Sequence, residues 1–265
     1  MKKILLLIAL LFLSTPSFAV TNWCNNASTQ LCLTAEEGVT TVDDKSANDF
    51  TVTKANQATQ SSAANPDTWS TFSYIFDGND DELSITDSGG IIDFEGATED
   101  FTACSFYNPD VVSGTTHSIY NIGDANDDFW RLIELQATSG NVWASLDTID
   151  VKSNNDAVSV TTWNHICAVM DRDGNGQMWV NGVTNGAAVA LSSETLNITS
   201  TAFHIGRDIS GGLDMDGYLD ELLIATILLD STDINDIMDN GLLQIVSTFT
   251  TTFANSTVAN TTAGL

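Results

Sequence analysis

Three kinds of residue in this 265-residue chain could do chemistry: regularly spaced oxygen donors, four cysteines and a few aromatic rings. Oxygen donors recur at alternate positions in Asp171-x-Asp173-x-Asn175-Gly176, the first half of an EF-hand loop, where such spacing wraps carboxylates around calcium. The twelfth position is Gly182 where that loop needs a bidentate Glu, and the flanks read as strands, so a hairpin turn is expected. Four cysteines in an oxidising compartment imply two disulfides, for which three pairings exist. Spacing favours Cys24 with Cys32, closing a small loop, and Cys104 with Cys167, each inside a strand-like run; the alternative leaves one pair reduced and buried. The histidines are His117, His165 and His204; the last two sit in strand patterns beside Trp163 and Phe203, where a packing histidine is the usual outcome. Neither a Ser-His-Asp nor a Cys-His site is supported, and no phosphate loop or metalloprotease helix motif occurs. A sugar site would want exposed aromatic faces beside polar groups; Trp130, Trp143 and Trp179 are the candidates, although strand tryptophans more often fill a core.

A scaffold must hold these residues, and its first segment is a leader. Residues 1–19 carry Lys2 and Lys3, an apolar run from Ile4 to Leu13 and the exit Ser17-Phe18-Ala19, the pattern of a cleavable secretory signal. The run is shorter than the about 20 apolar residues a membrane-spanning helix needs, so an exported soluble protein is expected, secreted, at the cell surface or in a periplasm. Removing the leader leaves 35 acidic and 6 basic side chains, a net charge of −29 against −27 for the whole chain. That charge repels nucleic acid and anionic membrane and could host divalent cations, but a salt-adapted surface is the simpler reading.

Residues 20–245 read as one all-β domain: proline is scarce, and Thr, Ser, Asn, Asp and Gly separate short apolar runs. Strands are expected over 49–53, 72–76, 82–85, 101–107, 117–122, 130–135, 142–146, 163–170, 177–180, 202–206 and 218–227. The pair 72–76 and 82–85, joined through Asp77-Gly78-Asn79-Asp80, reads as a hairpin. Acids at the start and apolar Ile234, Ile237 and Met238 predict one short helix over 230–241. Residues 246–265, rich in Thr, Asn, Ser and Ala, read as a tail.

Six short segments, in order, then resemble a family. They are Tyr74-Ile75-Phe76-Asp77-Gly78-Asn79-Asp80-Asp81, Phe101-Thr102, Trp163-Asn164-His165-Ile166, Val180-Asn181-Gly182, Ile205-Gly206-Arg207 and Asp216-Gly217-Tyr218-Leu219-Asp220-Glu221-Leu222. Over about residues 31–240 the chain resembles bacterial and phage laminin-G-like domains. The resemblance implies a two-sheet antiparallel jelly-roll sandwich of the concanavalin A type. The pentraxin branch is similar too: Phe101-Thr102-Ala103-Cys104 and His165-Ile166-Cys167 look like the strands carrying its disulfide, which supports Cys104 with Cys167.

The resemblance also implies calcium. Asp127-Asp128 before Phe129-Trp130 is placed like the pentraxin Asp-Asn pair, with Asp208 and then Asp214 or Asp216 on a later loop. A second family position would join the Gly78 carbonyl to Asp220, helped by Asp77. Related hydrolases carry Glu-x-Asp-x-x-Glu on one strand; Asp93-Phe94-Glu95 keeps a fragment, but Ile91 stands where the first Glu belongs. The expected function is a non-catalytic, calcium-assisted binding module for an extracellular glycan or surface ligand, with no nucleic-acid partner. The alternatives are a structural or adhesion subunit that packs against copies of itself in a surface or virion assembly, and, last, a divergent polysaccharide hydrolase.

Overall fold

The computed structural model describes residues 22–35, 42–56, 58–67, 69–94, 98–110, 116–122, 130–136, 139–146, 149–193, 197–198 and 202–243, all in one compact unit, Thr21–Gln244. The leader, 1–19, and the tail, 246–265, lie outside the described residues. The strands are β1 Thr29–Leu33, β2 Val52–Ala55, β3 Thr59–Ser61, β4 Ser73–Asp77, β5 Glu82–Thr86, β6 Phe101–Pro109, β7 His117–Ile122 and β8 Trp130–Gln136. They continue as β9 Asn141–Leu146, β10 Ile149–Lys152, β11 Asn164–Met170, β12 Asn175–Val180, β13 Val183–Thr184, β14 Val189–Ala190, β15 Ala202–Ile205 and β16 Asp216–Ala225, before the helix α1 Ser231–Asn240.

All pairings are antiparallel, in two sheets. The nine-stranded sheet runs β13-β12-β11-β6-β16-β4-β3, with β1 also on β16 and β14 also on β12; the seven-stranded sheet runs β10-β9-β8-β7-β15-β5-β2. Alternate residues such as Phe101, Ala103 and Tyr107 from one sheet and Leu83, Ile85, Phe203 and Ile205 from the other fill the core between them. This is the expected all-β jelly-roll sandwich with one helix near its C-terminal end.

The hairpin expected across Asp77–Asp80 does not form. β4 lies in the nine-stranded sheet and β5 in the seven-stranded one, so the turn arches from layer to layer. Both strands still bury alternate residues, which is why the sequence pattern cannot tell an arch from a hairpin. The arch has its own bonds: the Asp77 N–H donates to the Asp81 carboxylate at 3.0 Å and the Gly78 N–H to the Met215 carbonyl at 2.9 Å. Gly78, at φ 76°, takes a left-handed turn open to glycine.

A second apolar cluster covers the outer face of the nine-stranded sheet. Cys104 and Cys167 face outward there, directly opposite each other on β6 and β11, and are bonded; Cys24 is bonded to Cys32. Trp23, Leu223, Leu229 and Leu242 pack with them, as do Ile234 and Ile237 of α1. The helix starts where expected because the Asp230 carboxylate accepts from the Thr232 and Asp233 N–H groups, closing a capping box with Asp233.

Candidate ligand face and cation sites

The described acids expected to hold calcium each have partners within the protein. Asp127 and Asp128 lie outside the described residues. Asp208 organises its own turn: its carboxylate accepts from the Gly212 N–H at 2.7 Å and from the Ser210 hydroxyl at 2.8 Å. Asp214 pairs with Arg207 Nε at 3.0 Å. Asp220 is fully buried and accepts from Ala35 N, Ser70 Oγ and Glu221 N at 2.7–3.1 Å. It sits at the bulge where the edge partner of β16 changes from β4 to β1, and Glu221 takes a left-handed φ of 51° there. Its role is to hold a chain crossing.

The structure brings Gly78 together with Asp216, four residues before Asp220. A Cβ on Gly78 would stand 3.1 Å from the Asp216 Cβ, and Asp216 is opposite Asp77 in register. The Asp110 N–H donates to the Asp216 carbonyl at 3.1 Å, and the Asp216 N–H donates to His117 Nδ1 at 3.1 Å. Burial and the charges of Asp110 and Asp77 push the Asp216 carboxyl up, with His117 opposing. Burial pushes His117 down, with Asp216 and Asp214 opposing. The Tyr107 hydroxyl, raised by burial and by Asp216 and Asp110, is buried without a hydrogen-bond partner among the described residues.

A tighter acid group stands at the other end of β6. Carboxylate oxygens of Asp100, Asp171 and Asp173 all lie within 4.8 Å of one another. The hairpin expected at Asp171–Gly176 is present, joining β11 to β12. Asp100 joins it because Met170 pairs with Phe101, a register no local motif announces. Burial, a hydrogen bond with Asp173 and the charges of Asp100 and Asp173 raise the Asp171 carboxyl. A Cβ on Gly174 would fall 2.2 Å from Asp171 Oδ2, so any larger residue there displaces the Asp171 carboxylate.

Cys104, His165 and Cys167 also cluster, but their sulfurs are bonded to each other. His165 is the packing residue expected of it: Nε2 lies 3.6 Å from Cys167 Sγ, its ring is 4.7 Å from that of Phe106, and burial lowers its pKa to about 3. His204 departs from expectation. It is half-buried on the outer face of the seven-stranded sheet, with Nδ1 against Glu82 Oε1.

That outer face carries a continuous polar row. Register sets Asp150 beside Ser145, Ser145 beside Arg131, Arg131 beside Asn121, Asn121 beside His204, His204 beside Ser84 and Ser84 beside Thr53. Their chain neighbours Ala144, Leu146, Ile122, Phe203, Ile205, Leu83 and Ile85 point into the core. Asn121 is fully buried, and neither atom of its amide has a hydrogen-bond partner among the described residues. Trp143, between Val142 and Ala144 of the core, shares the outer face, with Lys152 Nζ 5.0 Å from its ring centroid. The Trp130 backbone sits opposite Ile122 and Leu146. Trp179 packs against the second apolar cluster instead.

A family model, Laminin_G_3 of the concanavalin A-like lectin/glucanases superfamily, matches residues 77–235. The chain belongs to this family. The match begins at the arch and ends inside α1, so the laminin-G-like chain adds β1 to β3 ahead of it. No curated protein matches by sequence. Among solved structures, the botulinum neurotoxin serotype G binding domain is similar at TM-score 0.63 and 12% identity, covering 79% of this chain and 50% of that chain. The binding domain of Paraclostridial Mosquitocidal Protein 1 is similar at 0.62 and 14%, covering 80% and 52%. Botulinum neurotoxin type C, whose cell entry is dependent upon interaction with two ganglioside molecules, is similar at 0.62 and 16%, covering 80% and 51%. At these identities the likeness is one of fold, and the laminin-G-like chain spans about half the length of each. Among the described residues no helix is long and apolar enough to cross a membrane.

Proposed function

We propose that this laminin-G-like chain is an extracellular, non-catalytic binding module whose ligand is a glycan or another surface molecule. The observation that carries the reading is the contrast between the two outer faces: disulfides and α1 cover one, while the other keeps a polar row across seven strands. Two of the similar solved structures are binding domains, and the third belongs to a toxin whose cell entry is dependent upon interaction with two ganglioside molecules, which supports display of a ligand site on this sandwich. Two disulfides suit an oxidising compartment.

Calcium belongs to the same reading. Asp208, Asp214 and Asp220 each have partners within the protein and stand apart from one another, whereas Asp100, which also accepts from the Arg172 N–H at 2.8 Å, gathers with Asp171 and Asp173 as hard oxygen donors that repel one another. They fit a divalent cation, which would relieve that repulsion and stiffen the β11–β12 turn. Thermal unfolding with calcium and with chelator tests this, since a ion bound only by the folded state raises Tm by mass action. A rise of several degrees that Asp171→Asn abolishes supports calcium at the turn; no shift removes calcium from the account. A glycan array probed in both conditions tests the binding reading, and concentration-dependent self-assembly without glycan binding would favour the structural alternative.

A further inference from the structure

We propose that the polar row on the seven-stranded sheet is the ligand site, that it takes an uncharged oligosaccharide, and that Asn121 and His204 determine its specificity. This rests on the binding-module reading and adds where the ligand lies and what its chemistry is. Polar residues on an outer sheet face are ordinary, and most of the row would pass as a solvated surface. Asn121 would not. Its side chain is fully buried, yet neither Oδ1 nor Nδ2 has a partner among the described residues. A buried polar group left unpaired costs about 1–3 kcal/mol, so a fold keeps one at a place where something else completes the bonds.

His204, next in register, makes the same argument. Nδ1 is held by Glu82, which fixes the ring, while Nε2 is buried with no partner among the described residues. An amide and an imidazole nitrogen side by side offer donors and acceptors together. Hydroxyl groups, each both donor and acceptor, are the complement, and neighbouring hydroxyls on a sugar ring reach two such groups at once. Arg131 and His204 flank Asn121 in register and are only half-buried, so a hydroxyl that reaches the covered amide must displace one of these two side chains. The hydroxyls of Ser84, Ser145 and Thr53 extend the same chemistry to either side. With strands about 4.8 Å apart the row runs about 29 Å, long enough for an extended chain of several sugar rings.

The charge of the whole molecule disfavours anionic polymers. Within the row Glu82 lies against His204 and Asp150 pairs with Lys152 at 2.9 Å, beside Arg131, while the whole chain carries −27. A sulfated or uronate chain laid across it would meet net repulsion. Trp143, two residues from Ser145 on the same face, is buried with Lys152 over its ring, so the row recognises a ligand through its polar groups and not through aromatic stacking.

The test uses the exported full chain on immobilised β-glucan, xylan and mannan oligosaccharides of about six rings, the length the row can hold, with alginate and dextran sulfate as the acidic arm. Wild type is expected to bind a neutral oligosaccharide, and Asn121→Leu and His204→Phe to lose at least tenfold in affinity, while Asn121→Leu keeps or raises Tm because an unpaired amide is removed. Should Asn121→Leu fail to fold, Ser84→Trp, which blocks the row from a half-buried position, must abolish binding. Neutral binding that survives these variants, or binding to the acidic polymers alone, overturns this proposal and leaves the binding-module reading standing. Binding to neither class overturns both.

Discussion

The two sheets of this sandwich share a core and differ in what they do with their outer faces. The nine-stranded sheet turns Cys104, Cys167 and Leu223 outward and seals them under Trp23, Leu242 and the Ile234–Ile237 side of α1. The seven-stranded sheet turns Ser145, Arg131, Asn121, His204 and Ser84 outward and keeps at its centre an amide with no partner among the described residues. One face therefore contributes stability and the other gives some up, which is how a binding surface differs from a structural one.

Substitutions should separate the faces in order of effect. Replacing Cys104 and Cys167 together by Ala removes a bridge closing 63 residues, worth about 4 kcal/mol on the chain-entropy account, and should lower Tm by about 10 °C in calorimetry. Acidification should act on the same face through His165. Its folded pKa of about 3 lies below the about 6.5 of an unfolded histidine, so the unfolded chain takes the proton first. Stability from this group is complete above pH 6.5 and is lost as pH falls towards 3, by about 3 kcal/mol at pH 4. His165→Phe should flatten that limb of a Tm-against-pH curve; an unchanged slope would place the acid sensitivity elsewhere.

On the open face the sign reverses. Asn121→Leu should leave stability unchanged or raise it by about 1 kcal/mol, read from denaturant midpoints, because it removes an unpaired amide. A loss comparable to that of the cysteine pair would make Asn121 a structural residue and erase the contrast. The smallest effect belongs to neither face. Asp171→Asn relieves crowding among Asp100, Asp171 and Asp173, so it should slightly raise Tm in chelator at neutral pH and lose any calcium response.

Much of this was legible in the sequence. Alternation and turn residues located the longer strands but not β1, β3, β10, β13 and β14; both disulfide pairs followed spacing and resemblance, and Asp230, Ile234 and Ile237 announced the helix. The hairpin through Asp77–Asp80 misled because strands of an arch and of a hairpin bury the same alternate residues. The functional residues were harder to find for a related reason. Asn121, Arg131 and His204 are separated in sequence and meet only through the order β8-β7-β15, and Asp100 meets Asp171 only through the register of β6 on β11. The resemblance points to Asp220 as an acid near the last strand, but sequence does not show the Ala35, Ser70 and Glu221 groups that bond it. A histidine among apolar neighbours gave no sign that its own side faces outward, which is why His204 was expected to pack.

Hydrogen exchange read by mass spectrometry, on the full chain with and without a bound neutral oligosaccharide, tests the central claim most directly. The account predicts slowed exchange in β7, β8 and β15 with α1 and β11 unchanged; protection confined to α1, β11 or the Asp171–Gly174 turn would contradict it.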